Sequence, residues 1–228
     1  MTSVFMTGLS NGAFLLLWLS LYSGRHVLNG VPLKDFLVLF SVLAVGSGVV
    51  TTCTGRLFEI PVAFASGEMT VLASQPGPLL SRFLVSKVEP SGIGDIMFGL
   101  VILATAEALG AEVHHGFWLV GVAVCAATYV SWIVLVSSLA VTDARFPAFA
   151  AQSLFTLGIF PGFALPDAYR VLLYTVVPTA FFAVLPARLA LLSRLEDLLL
   201  LIAGVVALAV VAAVTWRRTL RQWFASRV

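Results

Sequence analysis

Long apolar runs separated by short polar or proline-marked turns set the pattern of this chain, and none of them alternates with the period of two that marks a half-buried strand. Crossing a hydrocarbon core about 30 Å thick takes roughly 20 predominantly apolar residues. In lipid every backbone N–H and C=O needs an internal partner, so crossing elements are helices or closed barrels. Continuous apolar runs select helices. The pattern predicts an all-α membrane protein, a single transmembrane domain over residues 1–228 with six transmembrane helices at about 4–22, 36–53, 93–109, 117–141, 148–163 and 198–216. A polar loop, 54–92, divides the second span from the third, and a proline-broken apolar segment, 166–195, divides the fifth from the sixth.

The punctuation sharpens these boundaries. The first span starts close to Met1 with neither a basic n-region nor a small-residue cleavage site, which reads as a retained helix. Gly8 and Gly12 form a GxxxG pair on it. The stretch "TDARFP" makes a tight charged turn before the fifth span, since Pro147 resists a helix interior and restricts Phe146. Pro166, Pro178 and Pro186 break the later apolar stretch, which reads as an outer re-entrant or interfacial pair of short helices. In the closing "WRRTLRQWFASRV", Trp216, Leu220 and Trp223 recur at i, i+4 and i+7 beside Arg217, Arg218 and Arg221, the pattern of an interfacial helix end.

Composition agrees: 60% of residues are hydrophobic and 11% charged, against about 25% charged in soluble domains, and the mean hydropathy is +1.05. A net charge of +2 gives no footing for nucleic acid, and its distribution matters more than its sum. With both termini cytoplasmic, the inner segments hold Arg56, Arg82, Lys87, Arg145, Arg217, Arg218, Arg221 and Arg227, against Arg25, Lys34, Arg170, Arg188 and Arg194 outside. The excess of inner cations favours that orientation and a cytoplasmic loop 54–92. Cys53 and Cys125 lie in apolar runs without CxxC spacing and read as small packing residues.

The loop contains "ASGEMTVLASQPGPLLSRFLVSKVEPSG". Residues 66–74 suit a short helix with Ser66 as N-cap and Glu68 at the favourable end of its dipole, "QPGP" stops it, and "LLSRFLVSKV" reads as a second, amphipathic helix. The segment "SGEMTVLASQPGPLLSRFL" resembles the Gly-Glu and Leu-Pro stretch of ABC-2 type permeases, a six-helix group that includes viologen and drug exporters. "FPAFAAQSLFTLGIFPGFALPDAYRVLLYTVVPTAFFAVLPARLAL" resembles the fifth span and external segment of the same group. The resemblance covers more than half the chain and rests on the order of its parts. The resemblance also implies a basic amphipathic elbow helix before the first span, for which the expected span at 4–22 leaves no room; either the start is placed late or the elbow is dispensable here.

The resemblance implies the permease subunit of an ATP-binding cassette exporter in the inner membrane. It implies a dimer of separate ATPase subunits on the cytoplasmic face, a second permease subunit, identical or related, and ATP and Mg on the ATPase partner, with no cofactor in this chain. Consistent with that division of labour, the chain has no GxxxxGK[ST] loop. The loop would then carry the ATPase coupling, through Gly67, Glu68, Pro76 and Arg82; the alternative is an ordinary solvated loop lying on headgroups. Because the resemblance sets the second and fifth spans beside a central pathway, Phe40, Thr51, Gln152, Phe155 and Thr156 are candidate pathway residues. Phe36, Phe40, Phe149 and Phe155 could stack an aromatic cation there or simply face lipid, and Asn11, Thr52, Thr128, Ser131 and Ser138 could line a path or mediate helix packing.

Glu107 is the acid taken as closest to a span's interior, and a carboxylate there is a functional candidate by default. Its closeness to Gly110 and Glu112 also suits the outer interface. His114 and His115 are adjacent, so on a helix they point apart and read as wet interfacial residues rather than a metal site. No nucleophile, base and orienter constellation is present. Two readings of other classes stay open: a stand-alone secondary carrier driven by an ion gradient, and a non-transporting scaffold or enzyme subunit. A carrier would favour inverted repeats and a buried acid near the midplane.

Overall fold

The computed structural model describes residues 2–24, 27–28, 30–143, 145–159 and 177–225. Their order is α1 (Thr2–Tyr22), a hairpin of β1 (Val27–Leu28) and β2 (Val31–Pro32), α2 (Leu33–Cys53), a 3-10 turn (Leu57–Glu59), α3 (Ile60–Ala65), α4 (Glu68–Ala73), α5 (Leu79–Val85), α6 (Ser91–Ala108), α7 (His115–Leu139) and α8 (Phe146–Ile159). A π-helical turn (Ala180–Val184) then leads into α9 (Leu185–Leu192) and α10 (Leu195–Ala225). The chain is an all-α membrane protein. Among the described residues α2, α6, α7 and α10 are long and apolar enough to cross a membrane, whereas Leu9–Tyr22, Phe146–Ile159 and Ala180–Leu192 are shorter apolar helices. The expected end of the fifth span, 160–163, and residues 166–176 of the proline-broken segment lie outside the described residues.

The bundle is built around α2. Residues Phe36 to Gly48 of this helix are buried on every side, an all-round apolar helix having no face to show to water. Small residues let its neighbours approach. A Cβ on Gly48 would stand 2.7 Å from the Gly92 carbonyl of α6, and one on Gly99 3.0 Å from the Ser41 carbonyl of α2. Lost side-chain volume thus becomes backbone proximity, the usual means of packing helices where lipid supplies no hydrophobic drive. On another side α7 is fixed by a buried hydrogen bond, Trp118 Nε1 donating to Ser41 Oγ at 3.0 Å. Buried Cys125 fits against Gly46 of α2, as a packing residue would. Gly12, by contrast, faces open space, so the expected GxxxG pair contributes no close contact at that residue.

Two expected segments gain partners. The described part of the proline-broken segment is packed into the bundle: Phe182, Ala183, Leu189 and Ala190 are fully buried, and the Pro186 carbonyl approaches Gly121 of α7. Pro186 follows directly on the π-helical turn, inside the continuous apolar helix Ala180–Leu192, and Thr128 Oγ1 of α7 donates to the Phe181 carbonyl at 3.5 Å, the kind of local π adjustment and hydroxyl partner by which a membrane helix accommodates proline. The last span and its basic tail form one helix of 31 residues, about 46 Å long at 1.5 Å per residue, so it outruns the hydrocarbon. Its aromatic stripe turns inward. Trp216 and Trp223 pack edge-on against Phe64 of α3, with ring centroids 5.6 and 5.1 Å apart, and Thr219 Oγ1 donates to the Ser138 carbonyl of α7.

Candidate functional site

An open cleft of about 520 Å³ enters the half of the bundle nearest the 54–92 loop. It is lined by Met6, Ser10 and Asn11 of α1, Ser47 and Thr51 of α2, Asp95 of α6 and Tyr129 of α7. Phe58 of the 3-10 turn and Ala148, Ala151, Gln152 and Phe155 of α8 complete it. The lining follows from helix direction: α2 ends and α6 begins at the loop, and four residues separate Ser91 from Asp95, about 6 Å of rise. Gln152 donates to Thr156 Oγ1, one turn on, at 3.3 Å. Asp95 accepts a 2.5 Å hydrogen bond from Asn11 Nδ2, which joins the otherwise peripheral α1 to α6. Tyr129 stacks on Phe182 at 5.4 Å and meets Phe58 edge-on at 6.4 Å.

Below the cleft the loop is a packed unit. Its two ends are tied by Gly55 N–H to the Lys87 carbonyl (3.1 Å) and Glu89 N–H to the Thr52 carbonyl (3.3 Å). Met69 and Phe83 are fully buried, each contributing about 1.5–3 kcal/mol that a solvated loop would forgo. Arg56 is the hub. Its Nη1 and Nη2 donate to the two oxygens of Glu68 at 2.5 and 2.6 Å, its Nε donates to Glu59 at 2.8 Å, and its guanidinium lies 4.3 Å from the centroid of the Phe83 ring. This fork-on-carboxylate geometry is the strong kind of ion pair. The hydrogen bonds from Arg56 hold both carboxyls below their ordinary range, and Glu68 in turn raises the guanidinium's own pKa. Lys87 adds a bond to Glu59 at 3.1 Å.

A protein-family model described as ABC-2 family transporter protein matches residues 9–226. The chain belongs to this family. It is therefore a permease component of an ABC transporter, a class of membrane protein that works with ABC ATPase partners. No curated protein and no solved structure matches the chain.

In this ABC-2 permease the residues singled out from sequence fall into three groups. Thr51, Gln152 and Phe155 reach the cleft, and Thr156 stands behind Gln152 as its hydrogen-bond acceptor. Phe40 does not: fully buried between Phe36 and Phe98, at 6.2 and 5.8 Å, it is a core residue of the permease. Phe36 shares that core, packed on Trp18, while Phe149 points outward. An aromatic on a span satisfies core, lipid and pathway alike, and only its neighbours decide.

Glu107 also moves out of the site. It lies at the far end of α6 from Asp95, half-exposed and 3.3 Å from His115 Nε2, twelve residues or about 18 Å along the helix from the cleft. The acid that lines the cleft is Asp95, which the sequence reading passed over; Asp197 of α10 is more deeply buried but is paired with Arg188 at 3.4 Å. The third span as read from sequence, 93–109, already contains Asp95, and Gly92, Asp95 and Gly99 recur at i, i+3 and i+7, a single face pressed on α2. That spacing was the available signal.

Of the loop residues, Gly67 rather than Ser66 caps α4. Ser66 already belongs to the last turn of α3, its hydroxyl donating to the Ala63 carbonyl, and Gly67 turns the chain with φ +79°. Left-handed φ suits glycine. Glu68 is occupied by Arg56 rather than presented outward, and Arg82 Nη2 donates to the carbonyls of Leu72 and Gln75, closing the end of α4 across the exposed Pro76 turn. Sequence reading counts Arg56 as an inner cation and misses its pairing with Glu68, because that partner stands twelve residues away with no periodic cue.

Proposed function

We propose that this permease forms the substrate pathway of an exporter and is driven by a separate ATPase dimer docked on the 54–92 loop, with a second permease subunit, identical or related, facing the open side of the cleft. In this reading the loop and both termini are cytoplasmic, the protein lies in the inner membrane, and ATP and Mg are held by the partner. The observation that carries it is mechanical. α2 and α6, which bring Thr51 and Asp95 into the cleft, are the same two helices whose ends are tied together at Gly55–Lys87 and Thr52–Glu89. A push on the braced loop therefore reaches the cleft through rigid elements, and nucleotide-dependent closure of the motor would favour one state of the cleft over the other.

Glu68 and Arg82 act here as struts and Gly67 as the turn that leads from α3 into α4, leaving the exposed surface around Thr70, Val71 and Pro76 for the motor. Glu68→Arg places two guanidiniums together at Arg56; ATP hydrolysis by the co-purified complex persists while transport in vesicles is lost. Unchanged ATP-driven transport by that variant would remove the loop from the coupling path.

A stand-alone carrier is the second reading, and Asp95 is the observation that favours it. Its place about 6 Å into a helix of some 27 Å, rather than half-way, weighs against it. Co-purification from native membranes decides between the two: a stoichiometric ATPase subunit supports the exporter, and robust transport by the lone chain in ATP-free vesicles supports the carrier.

A further inference from the structure

We propose that the cleft is built for a small organic cation with a single positive charge and an apolar, ring-bearing body, with the Asp95 carboxylate as its counter-charge and Asn11 as the residue that positions that carboxylate. The inference rests on the reading of the cleft as the substrate pathway.

Charge gives the first argument. Asp95 is the one charged side chain among the described residues that line the cleft, and no Lys, Arg or His lies among them. Its hydrogen-bond partner is a neutral amide, which orients one carboxylate oxygen without compensating the charge. A carboxylate in a span that lacks a cationic partner is unfavourable until a cation reaches it, and the same charge repels anions. The loop shows the alternative solution in this very chain, where Glu68 receives a full guanidinium fork.

Shape and surface give the second. Phe58, Tyr129 and Phe155 present aromatic rings to the same space, and ring faces attract organic cations by their quadrupole while burying an apolar body. A volume of about 520 Å³ lies within the range of roughly 300–1,000 Å³ that takes drug-sized ligands. A divalent metal ion as cargo fits worse, because it needs several anionic or imidazole donors. Among the described residues no group of three His, Cys, Asp or Glu side chains stands close enough to hold one.

Two ions of the same shape and opposite charge provide the test: tetraphenylphosphonium and tetraphenylborate, titrated by equilibrium dialysis against the full-length chain in lipid nanodiscs, with empty nanodiscs as the partition control. The expected result is saturable binding of the phosphonium only. Asp95→Asn weakens it about tenfold or more, a loss of about 1.4 kcal/mol or more, while Asp95→Glu retains it within a few-fold. Asn11→Ala gives an intermediate loss, and the melting temperature certifies that each variant is folded. Equal binding of the two ions, no saturable phosphonium binding by the folded wild type, or Asp95→Asn binding as well as wild type overturns the proposal. Binding is read without any ATPase, so failure of the exporter reading leaves this result standing. ATP-driven transport that is indifferent to charge would sink the cation site and spare the exporter.

Discussion

The loop and the cleft of this ABC-2 permease each contain a carboxylate fixed by one neighbour, and the two neighbours differ in kind. Glu68 lies under the guanidinium of Arg56, with two hydrogen bonds and a matching charge; Asp95 is held by the amide of Asn11, with one hydrogen bond and no charge. In the loop, geometry and electrostatics are satisfied together, so the ion pair acts as a brace. In the cleft the geometry is satisfied and the charge is left open, which is how a binding site differs from a strut. Both regions hang from the same pair of helices.

That shared support is the place to break both regions at once, and the largest effect is expected there. A Cβ on Gly92 of α6 would run into the Gly48 carbonyl and into Thr52 of α2, both on or beside the backbone. Gly92→Leu must force α6 away from α2. Overpacking of this kind costs about 3 kcal/mol or more where backbone is the obstacle, so the variant should melt far below wild type in detergent and bind no tetraphenylphosphonium. Wild-type melting would show that the helix pair can open freely and that the rigid link between loop and cleft does not exist.

The next effect separates the regions. Arg56→Ala leaves Glu59 and Glu68 facing each other without their cation and removes the guanidinium from the Phe83 ring. Hydrogen bonds to charged groups are worth about 1.5–3 kcal/mol each in favourable settings. Half-exposed carboxylates realise less of that through solvent screening, so about 2 kcal/mol in total is expected. Phosphonium binding should survive, because no atom of Arg56 reaches the cleft lining. A loss of binding equal to that of Asp95→Asn would mean that the two carboxylates do not belong to separate devices.

What sequence reading could reach follows from how local each signal is. The apolar runs located α2, α6, α7 and α10 because crossing length is a property of the run itself. Thr51, Gln152 and Phe155 were legible as polar or aromatic interruptions on spans placed near a pathway by family resemblance. Phe40 was misassigned for the same reason, since its burial between Phe36 and Phe98 depends on helices distant in sequence. The cap of α4 was shifted by one residue because α3, which claims Ser66, is itself only six residues long and carries no periodic pattern. The Trp216, Leu220 and Trp223 stripe announced a face, and only the fold supplied Phe64 as what that face covers.

Asp95→Asn should disturb stability far less than Arg56→Ala does. The substituted amide can still hydrogen-bond Asn11, and the change removes an uncompensated charge rather than half of an ion pair. A shift in stability within about 1 kcal/mol, of either sign, is expected by thermal melting. A drop as large as that of Arg56→Ala would show that Asp95 is a structural residue, and the contrast between brace and site would collapse.

The smallest effect is a titration. The carboxyls of Glu59 and Glu68 are depressed in the folded chain, first by the hydrogen bonds from Arg56, relative to an ordinary value of 4.5. A group depressed by folding contributes stability above its unfolded pKa and loses it as pH falls through its folded pKa. The loop should therefore be indifferent to pH between about 6 and 8 and loosen only on the acid side of about 4.5. Melting curves of wild type and Arg56→Ala across that range would read this directly. Without the guanidinium the two carboxyls titrate closer to their ordinary values, or above them through mutual repulsion, so the variant's stability deficit should shrink as the pH falls. A deficit that stays constant into acid would mean that Arg56 stabilises the loop by packing on Phe83 rather than by holding the two carboxylates.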